Sequence, residues 1–408
     1  MQKTTQIQEF TKINLILILA FMSSIAPLST DMYLPALSEV QKTFETNSFF
    51  TQVSLAVFFI AFSLGQLIYG PLSDAYGRKK PLYFGISLFI VSSLICVLVD
   101  SIHIFITFRF FEALGGCAGV VIARAIVNDK FELKEAASMF ALMMVVSSLA
   151  PMISPIFGGF LLDYFSWRSI FALLFGLGIV LFLWIVFGLQ ESNCNPKPIG
   201  GLKNYFLELL LILKDRRFRI YVFSSGFAMA TLFAYITGSS YLFREFFGLS
   251  EKDFGVLFGI NALSLMIFAQ INAKIVLKYS PYFILPYAFL AIFGISLLLI
   301  IVGFLQLHFI VFEILLFLNL GALGFIVPNT TTLAMSRFKQ NGGSASALLG
   351  TIQFALAGGI SFLVGIIGAN KPLPLALIIA SCLIIACGIY FLLNKREVRD
   401  FKRKLGLK

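Results

Sequence analysis

Twelve long apolar runs recur along this chain of 408 residues, and they constrain its fold more than any other feature. An α-helix needs about 20 apolar residues to cross the hydrocarbon core of a bilayer. The runs lie at 13–36, 49–69, 81–99, 103–127, 137–162, 169–190, 218–246, 254–277, 282–305, 308–335, 343–369 and 372–393. Because 59% of the residues are hydrophobic and only 12% are charged, a water-soluble fold is excluded. The sequence predicts an all-α integral membrane protein with twelve transmembrane helices.

The positions of the basic residues indicate how these helices are oriented. If both termini lie on one side of the membrane, 24 of the 31 lysines and arginines fall on that side. Cytoplasmic loops are enriched in lysine and arginine, so we predict that both termini are cytoplasmic. The net charge of +11 is then a consequence of topology, and nucleic acid is not expected as a partner.

A long polar interruption that begins at Glu191 divides the chain into two halves of six spans each. Its first residues include two prolines and a Gly-Gly pair, which are typical of a linker. We predict an N-terminal six-helix bundle at 1–190, a cytoplasmic linker at 191–217, a C-terminal six-helix bundle at 218–394 and a basic cytoplasmic tail at 395–408. Weakly similar parallel halves imply two bundles around a central substrate site.

The stretch "RFFEALGGCAG" places Arg109 and Glu112 inside the fourth span. A charge in the bilayer interior costs about 3 kcal/mol or more on insertion scales, and is normally paired or functional. Arg109 and Glu112 share one helix face, and Asp31 in the first span lies at a similar depth, roughly 9 Å below the outer surface. We predict a proton-coupling cluster with Arg109 as the positive centre and Asp31 and Glu112 as titratable members. The alternative is a static ion pair between the two spans, or an Asp31 that only terminates its helix.

Other polar residues inside the spans have two possible roles. Glu313 lies five residues after His308, so it is either a functional group or a side chain that snorkels to the outer interface. Four further residues are predicted to line a substrate cavity, with hydrogen bonding between helices as the alternative. They are Tyr33, Tyr235, Asn261 and Gln353.

The loop "GPLSDAYGRKK" between the second and third spans carries a family signature. Its glycine, aspartate four residues on, and Gly-Arg-Lys run resemble the signature of the major facilitator superfamily. The resemblance implies two six-helix bundles that work by alternating access. We expect Asp74 to contact a helix N-terminus of the other bundle, and Arg78 to pair with Asp129, when the cytoplasmic side is closed. The alternative for the basic residues is a purely topogenic role. The gate residues are Gly70, Asp74, Gly77, Arg78, Arg124 and Asp129.

Further stretches resemble one branch of this superfamily, the Bcr/CflA drug:proton antiporters, which are linked with bicyclomycin and chloramphenicol resistance. They are "TDMYLPA", "ARAIVND", "FAYITGSSYLF" and "LFGINAL". The resemblance covers nearly the whole chain. It implies a monomer in the bacterial inner membrane that exports small amphipathic drugs in exchange for protons, with the proton gradient as energy source and no cofactor or metal. By position it assigns the functional charges to Arg109 and Asp31, and places Glu112 where relatives usually have glutamine.

The fifth span resembles the glycine- and proline-rich antiporter motif of the same proteins. It reads "APMISPIFGG", in which Ala150 and Ser154 replace two glycines. A helix weakened by proline that still packs closely is the expected result. The motif residues that remain are Pro151, Pro155, Gly158 and Gly159.

The main competing interpretations concern activity and substrate. The sequence has no HExxH, GxSxG or P-loop motif, so we do not expect an enzyme. A proton-coupled transporter of an endogenous metabolite, either exporter or importer, would use the same scaffold and remains the alternative function.

Overall fold

The computed structural model describes residues 2–131, 150, 153–193, 202–276, 278–336, 338, 342–368 and 371–393, and there the chain forms helices and no strands. In chain order the helices are α1 (Gln2–Asp31), α2 (Leu37–Thr43), α3 (Ser48–Tyr76), α4 (Lys79–Leu98), α5 (Ile102–Lys130), α6 (153–164), α7 (Arg168–Gly188), α8 (Leu202–Lys214), α9 (Arg216–Tyr241), α10 (Glu251–Ile275), α11 (Pro281–Leu305), α12 (Phe309–Met335), α13 (Gly342–Ile367) and α14 (Pro372–Leu393).

Eleven of the helices in the described residues are long and apolar enough to cross a membrane. They coincide with eleven of the twelve predicted spans, and α6 is the described part of the remaining one, predicted at 137–162. The all-α membrane fold is therefore confirmed. Pro151, the start of the fifth span and the predicted tail at 395–408 lie outside the described residues.

Local sequence signals explain where several helices begin and end. The Asn47 side chain accepts a hydrogen bond from the Phe50 backbone N–H at the start of α3, as an N-cap does. At the other end of α3, Gly77 has φ of 85°, a conformation that glycine adopts without the steric cost of a side chain. The helix therefore stops there, and α4 begins two residues later.

The interruption predicted as a linker contains a helix of its own, α8, just before the start of α9. Leu209 and Ile212 are buried against the protein, whereas Leu207, Leu210 and Leu211 are exposed. This short helix therefore presents apolar side chains on two sides. Such a helix suits the boundary between membrane and cytoplasm.

The two halves of the chain meet mainly through α3 and α13, which pack against each other from end to end. Glycines of α13 allow the close approach: Gly350 faces Gln66, and Gly365 faces Gln52. Between them, the Ser63 hydroxyl donates a hydrogen bond of 2.9 Å to the Thr351 carbonyl. Small residues at helix interfaces are the usual means of close packing in membranes.

The halves also meet at the side that the charge pattern predicts to be outer. Arg244, at the end of the seventh span, donates a hydrogen bond of 2.5 Å to the Pro35 carbonyl. The Thr51 and Tyr241 hydroxyls form a second hydrogen bond across the halves. Together these contacts join the two halves at the predicted outer side.

A pair of adjacent glycines in α13 tests the interface with α3. A Cβ atom on Gly358 would lie 2.5 Å from the Ile60 Cγ1 atom and 3.1 Å from the Ala56 carbonyl oxygen, whereas one on Gly359 would meet nothing within 4 Å. We expect Gly358→Ala to destabilise the protein by about 1–3 kcal/mol through overpacking, measured as a lower Tm in detergent. Gly359→Ala is the matched control, and equal Tm values for the two variants would contradict the packing argument.

Candidate functional site

A fully buried ion pair forms the centre of the first half. On α5, the Arg109 Nη1 atom lies 2.7 Å from the Glu112 Oε2 atom, and neither side chain is exposed. The three-residue spacing places both groups on one helix face. The structure thus brings together two of the three residues predicted for the coupling cluster.

Serines from two neighbouring helices complete this pair. The Ser29 hydroxyl on α1 accepts a hydrogen bond of 2.7 Å from Arg109 Nη1 and donates one of 3.0 Å to Glu112 Oε1. The Ser93 hydroxyl on α4 donates another, of 3.1 Å, to the same carboxylate oxygen. Neither serine was predicted from the sequence, because serine is common in membrane helices and its partner depends on helix rotation. The pair therefore ties α1, α4 and α5 together.

Aromatic rings surround the rest of the Arg109 guanidinium group. Its Cζ atom lies 4.5 Å from the ring centroid of Phe58, 5.1 Å from that of Tyr33 and 5.5 Å from that of Phe171. The Nε and Nη2 atoms have no hydrogen-bond partner in the described part of the chain. Cation–π attraction offsets part of the cost of burying these N–H groups.

Asp31 lies apart from this pair. The side chain is buried, and Thr30 Oγ1 donates a hydrogen bond of 3.1 Å to its Oδ1 atom. No basic side chain of the described residues forms an ion pair with it. Ser29 and Asp31 are two residues apart, roughly 200° around the axis of α1, so Asp31 turns away when Ser29 faces Arg109. The predicted contact between Asp31 and Arg109 is therefore wrong for this conformation.

The four residues predicted to line the cavity are all engaged between helices. Tyr33 is buried, and its hydroxyl lies 3.1 Å from the Ser54 hydroxyl. Gln353 is half-buried and donates a hydrogen bond of 2.8 Å to Ser225 Oγ. Asn261 Nδ2 donates to the Tyr235 hydroxyl over 2.9 Å. In this conformation they match the alternative of hydrogen bonding between helices.

The Glu313 carboxylate is held inside the protein. Its side chain is buried and accepts a hydrogen bond of 2.6 Å from Asn261 Nδ2. The Asn261 amide on α10 thus supplies the hydrogen bond that Glu313 would otherwise receive from water at the interface. The snorkelling interpretation of Glu313 is therefore wrong.

The loop between α3 and α4 forms a network around Arg78. The guanidinium group binds Asp129 at the end of α5 through two hydrogen bonds, from Nε over 2.8 Å and from Nη2 over 3.1 Å. Its Nη1 atom pairs with Asp74 Oδ1 over 2.5 Å. Burial would raise the pKa of Asp129, but the hydrogen bonds from Arg78 and Ser192 and the Arg78 charge outweigh it and lower that pKa.

The remaining predicted gate residues are Asp74, Arg124 and Gly70. Asp74 keeps a side-chain exposure of 64%, and within the described residues its ion pair is with Arg78 of its own half. The contact of Asp74 with the other bundle was predicted for the closed cytoplasmic side, and it stays a prediction. Arg124 is exposed and has no ion pair in the described part of the chain. A Cβ on Gly70 would meet nothing within 4 Å.

A carboxylate that the sequence analysis missed joins the end of the sixth span to this network. Glu191 accepts backbone hydrogen bonds from Arg78, over 2.9 Å, and from Lys79, over 3.0 Å, at the start of α4. The Ser192 hydroxyl donates to Asp129 over 2.8 Å. Burial would raise the pKa of Glu191, but the backbone N–H groups of α4 and of its own loop outweigh it and lower that pKa. The one sequence signal for this role of Glu191 was its position, as an acidic residue directly after an apolar span.

Glu191→Gln should lower stability in a pH-dependent manner. The native pKa of Glu191 lies below its ordinary value of 4.5, so its stabilising contribution is complete above that pH and disappears as pH falls through the native pKa. We expect a loss of about 1 kcal/mol at neutral pH, since most of the side chain is solvent-accessible. Thermal denaturation in detergent would show the two curves converging toward about pH 3. Asp163→Asn, at an exposed position of α6, is the control, and a gap that persists at low pH would contradict the assignment.

The antiporter-like motif packs α6 against two other helices. A Cβ on Gly158 would lie 2.2 Å from the Met32 carbonyl oxygen, just beyond the end of α1. The Pro155 carbonyl oxygen would lie 2.9 Å from a Cβ on Gly255, near the start of α10. Gly159 is also buried. These residues therefore set the spacing of α6 to both halves of the chain.

Comparisons with known proteins agree with this architecture. The family model of the Major Facilitator Superfamily matches residues 19–362. The MFS-type transporter YdgK of Bacillus subtilis, itself uncharacterised, is 33% identical over 95% of this chain and 97% of its own length. The bicyclomycin resistance protein homolog of Haemophilus influenzae is 26% identical over 94% of this chain and 97% of its own length.

Solved structures show the same fold. The crystal structure of a D-xylose-proton symporter superimposes with a TM-score of 0.72, covering 94% of this chain and 97% of that protein, at 14% sequence identity. Identity at this level supports the fold alone. With the matched family model and the similarity to YdgK, it shows that the chain is a multi-pass membrane protein that belongs to the Major Facilitator Superfamily of transporters.

Proposed function

We propose that this protein is a proton-coupled antiporter that exports small amphipathic drugs across the bacterial inner membrane. The observation that carries the proposal is Asp31, a buried carboxyl group with no basic partner in the described residues, in the same half as the complete Arg109–Glu112 pair but apart from it. The similarity to a bicyclomycin resistance protein homolog supports drugs as the substrate class.

The two carboxyl groups of the first half have different roles in this proposal. Glu112 is held by Arg109, Ser29 and Ser93, so it has little capacity to accept anything else. An ionised Asp31 without a counter-charge is costly inside the membrane, and either a proton or a cationic group removes that cost. A proton and a cationic drug then compete for Asp31. Transport of an uncharged drug is coupled to the proton in another way: protonation of Asp31 changes which conformation of the protein is favoured.

The contacts between the halves supply the gates of an alternating-access cycle. Arg244 with Pro35, and Thr51 with Tyr241, hold the predicted outer side closed. On the opposite side, Arg78 binds only partners of its own half among the described residues. The outer gate opens only when the contacts of Arg244 with Pro35 and of Thr51 with Tyr241 break. We propose that proton uptake from outside favours this outward-open state.

The test uses purified wild-type protein in liposomes with an acidic interior. Proton exit should drive accumulation of chloramphenicol or bicyclomycin inside, and a protonophore should abolish it. Pyranine fluorescence in the lumen would report the matching rise in pH. Accumulation that ignores the proton gradient would overturn coupling. Coupled exchange of an endogenous metabolite in place of every antibiotic tested would establish the alternative function.

A further inference from the structure

The second half of the chain contains its own buried polar cluster, formed by Tyr235, Asn261 and Glu313. These residues lie on α9, α10 and α12, and all three side chains are buried. Glu313 lies four residues after the first residue of α12, roughly 6 Å along the helix axis, and Asn261 reaches it from α10. Buried carboxyl groups within transmembrane helices are rare and usually functional.

The hydrogen bonds of this cluster are incomplete. Asn261 Nδ2 donates to Glu313 Oε1 over 2.6 Å and to the Tyr235 hydroxyl over 2.9 Å, which uses both N–H groups of the amide. The remaining acceptors, Asn261 Oδ1 and Glu313 Oε2, are buried without a partner in the described part of the chain. A carboxylate at Glu313 needs a donor opposite it, and this assigns the Nδ2 group of Asn261 to the side that faces Glu313. The Tyr235 O–H is the one donor left in the cluster, against two unpartnered acceptors, and the cluster carries no positive charge.

We infer that Tyr235, Asn261 and Glu313 form a second cation-binding site, which takes the protonated amino group of a substrate. An ammonium group supplies both the N–H donors and the charge that the two free acceptors require. The Tyr235 ring is stacked on Phe258, with centroids 5.3 Å apart, and provides aromatic surface beside the site. This inference rests on the proposed drug transport and narrows its substrates to include amphipathic amines.

The site is distinct from the one around Asp31. Asp31 belongs to α1 in the first half, whereas the three residues of the second site come from helices of the second half. No basic residue of the described chain forms an ion pair with Glu313. A cation that binds there can form an ion pair with the Glu313 carboxylate, and a neutral ligand forms none.

The test compares 1-naphthylmethylamine, which is protonated at neutral pH, with its uncharged N-acetyl derivative. Equilibrium binding is measured by calorimetry on purified full-length protein in detergent. Glu313→Gln should weaken binding of the amine by about 10- to 100-fold, as expected for a lost charged hydrogen bond. Binding of the N-acetyl probe should change less than about twofold, because it makes no ion pair. Asp253→Asn, an exposed carboxyl position on α10, is the matched control that should leave both affinities unchanged.

A second variant keeps the test decisive if Glu313→Gln folds poorly. Asn261→Ala removes the Oδ1 acceptor but retains the Glu313 charge, and should weaken binding of the amine by about tenfold. Equal losses for both probes would show a structural role and overturn the inference. So would an unchanged amine affinity in both variants, or a wild-type protein that binds the two probes equally. Because no proton gradient is present, these outcomes do not depend on antiport. The antiport proposal is tested separately, by the liposome experiment.

Discussion

Arg109→Ala is expected to destabilise the protein by about 3–5 kcal/mol and to abolish transport, because it leaves Glu112 as an uncompensated buried charge. The Glu112 carboxylate would retain the hydroxyl donors of Ser29 and Ser93 but lose its ion pair over 2.7 Å. The contacts of the guanidinium group with the surrounding aromatic rings would be lost at the same time. The measurements are the Tm in detergent and drug accumulation in liposomes.

A double variant separates the charge from the cavity that alanine creates. Glu112→Gln in the Arg109→Ala background removes the orphaned charge, so it should restore most of the lost stability. Transport should remain absent if the ion pair also orients α1 against α4 and α5. A double variant no more stable than Arg109→Ala would show that charge burial is not the cause.

Asp31→Asn is expected to eliminate proton-driven accumulation while leaving downhill exchange of a neutral drug. Asparagine resembles the protonated carboxyl in size and polarity but cannot release a proton, so the proton gradient has no group on which to act. The expected accumulation inside acidic liposomes is therefore none. Counterflow of labelled chloramphenicol against unlabelled drug, without a gradient, measures the exchange that should persist.

Two further variants make the Asp31 result specific. Asp163→Asn changes an exposed carboxyl position in the same half and should accumulate drug like the wild type. If Asp31→Asn retained full accumulation, while Glu112→Gln lost coupling without losing stability, Glu112 would be the proton carrier and the assignment of roles would be reversed.

The residue spacing within one helix allowed some parts of the site to be predicted. Arg109 and Glu112 are three residues apart, and helical periodicity alone places them on one face. Arg78 and Asp129 are far apart in sequence, and their pairing followed from the family resemblance together with the predicted topology. The structure has both contacts, with distances of 2.7 Å and 2.8 Å.

Contacts that depend on helix rotation could not be predicted. The depth of Asp31 was estimated from residue counts, but the direction of its side chain depends on how α1 is rotated against α5. In the structure Ser29, and not Asp31, is the α1 residue that contacts Arg109. Glu313 was placed near the membrane surface by counting from His308. Its partner Asn261 lies 52 positions earlier on another helix, and no local pattern indicates that pairing.

The sequence by itself determined that this is an all-helical membrane protein, because apolar runs of about 20 residues have no stable alternative in a bilayer. It also fixed the positions of the buried charges along each helix. Only the tertiary structure decided their partners: Glu112 with Arg109 and the two serines, Glu313 with Asn261, and Asp31 with no basic residue among those described. Side-chain partners depend on helix rotation and packing, which are set by many small contacts between helices rather than by any one segment.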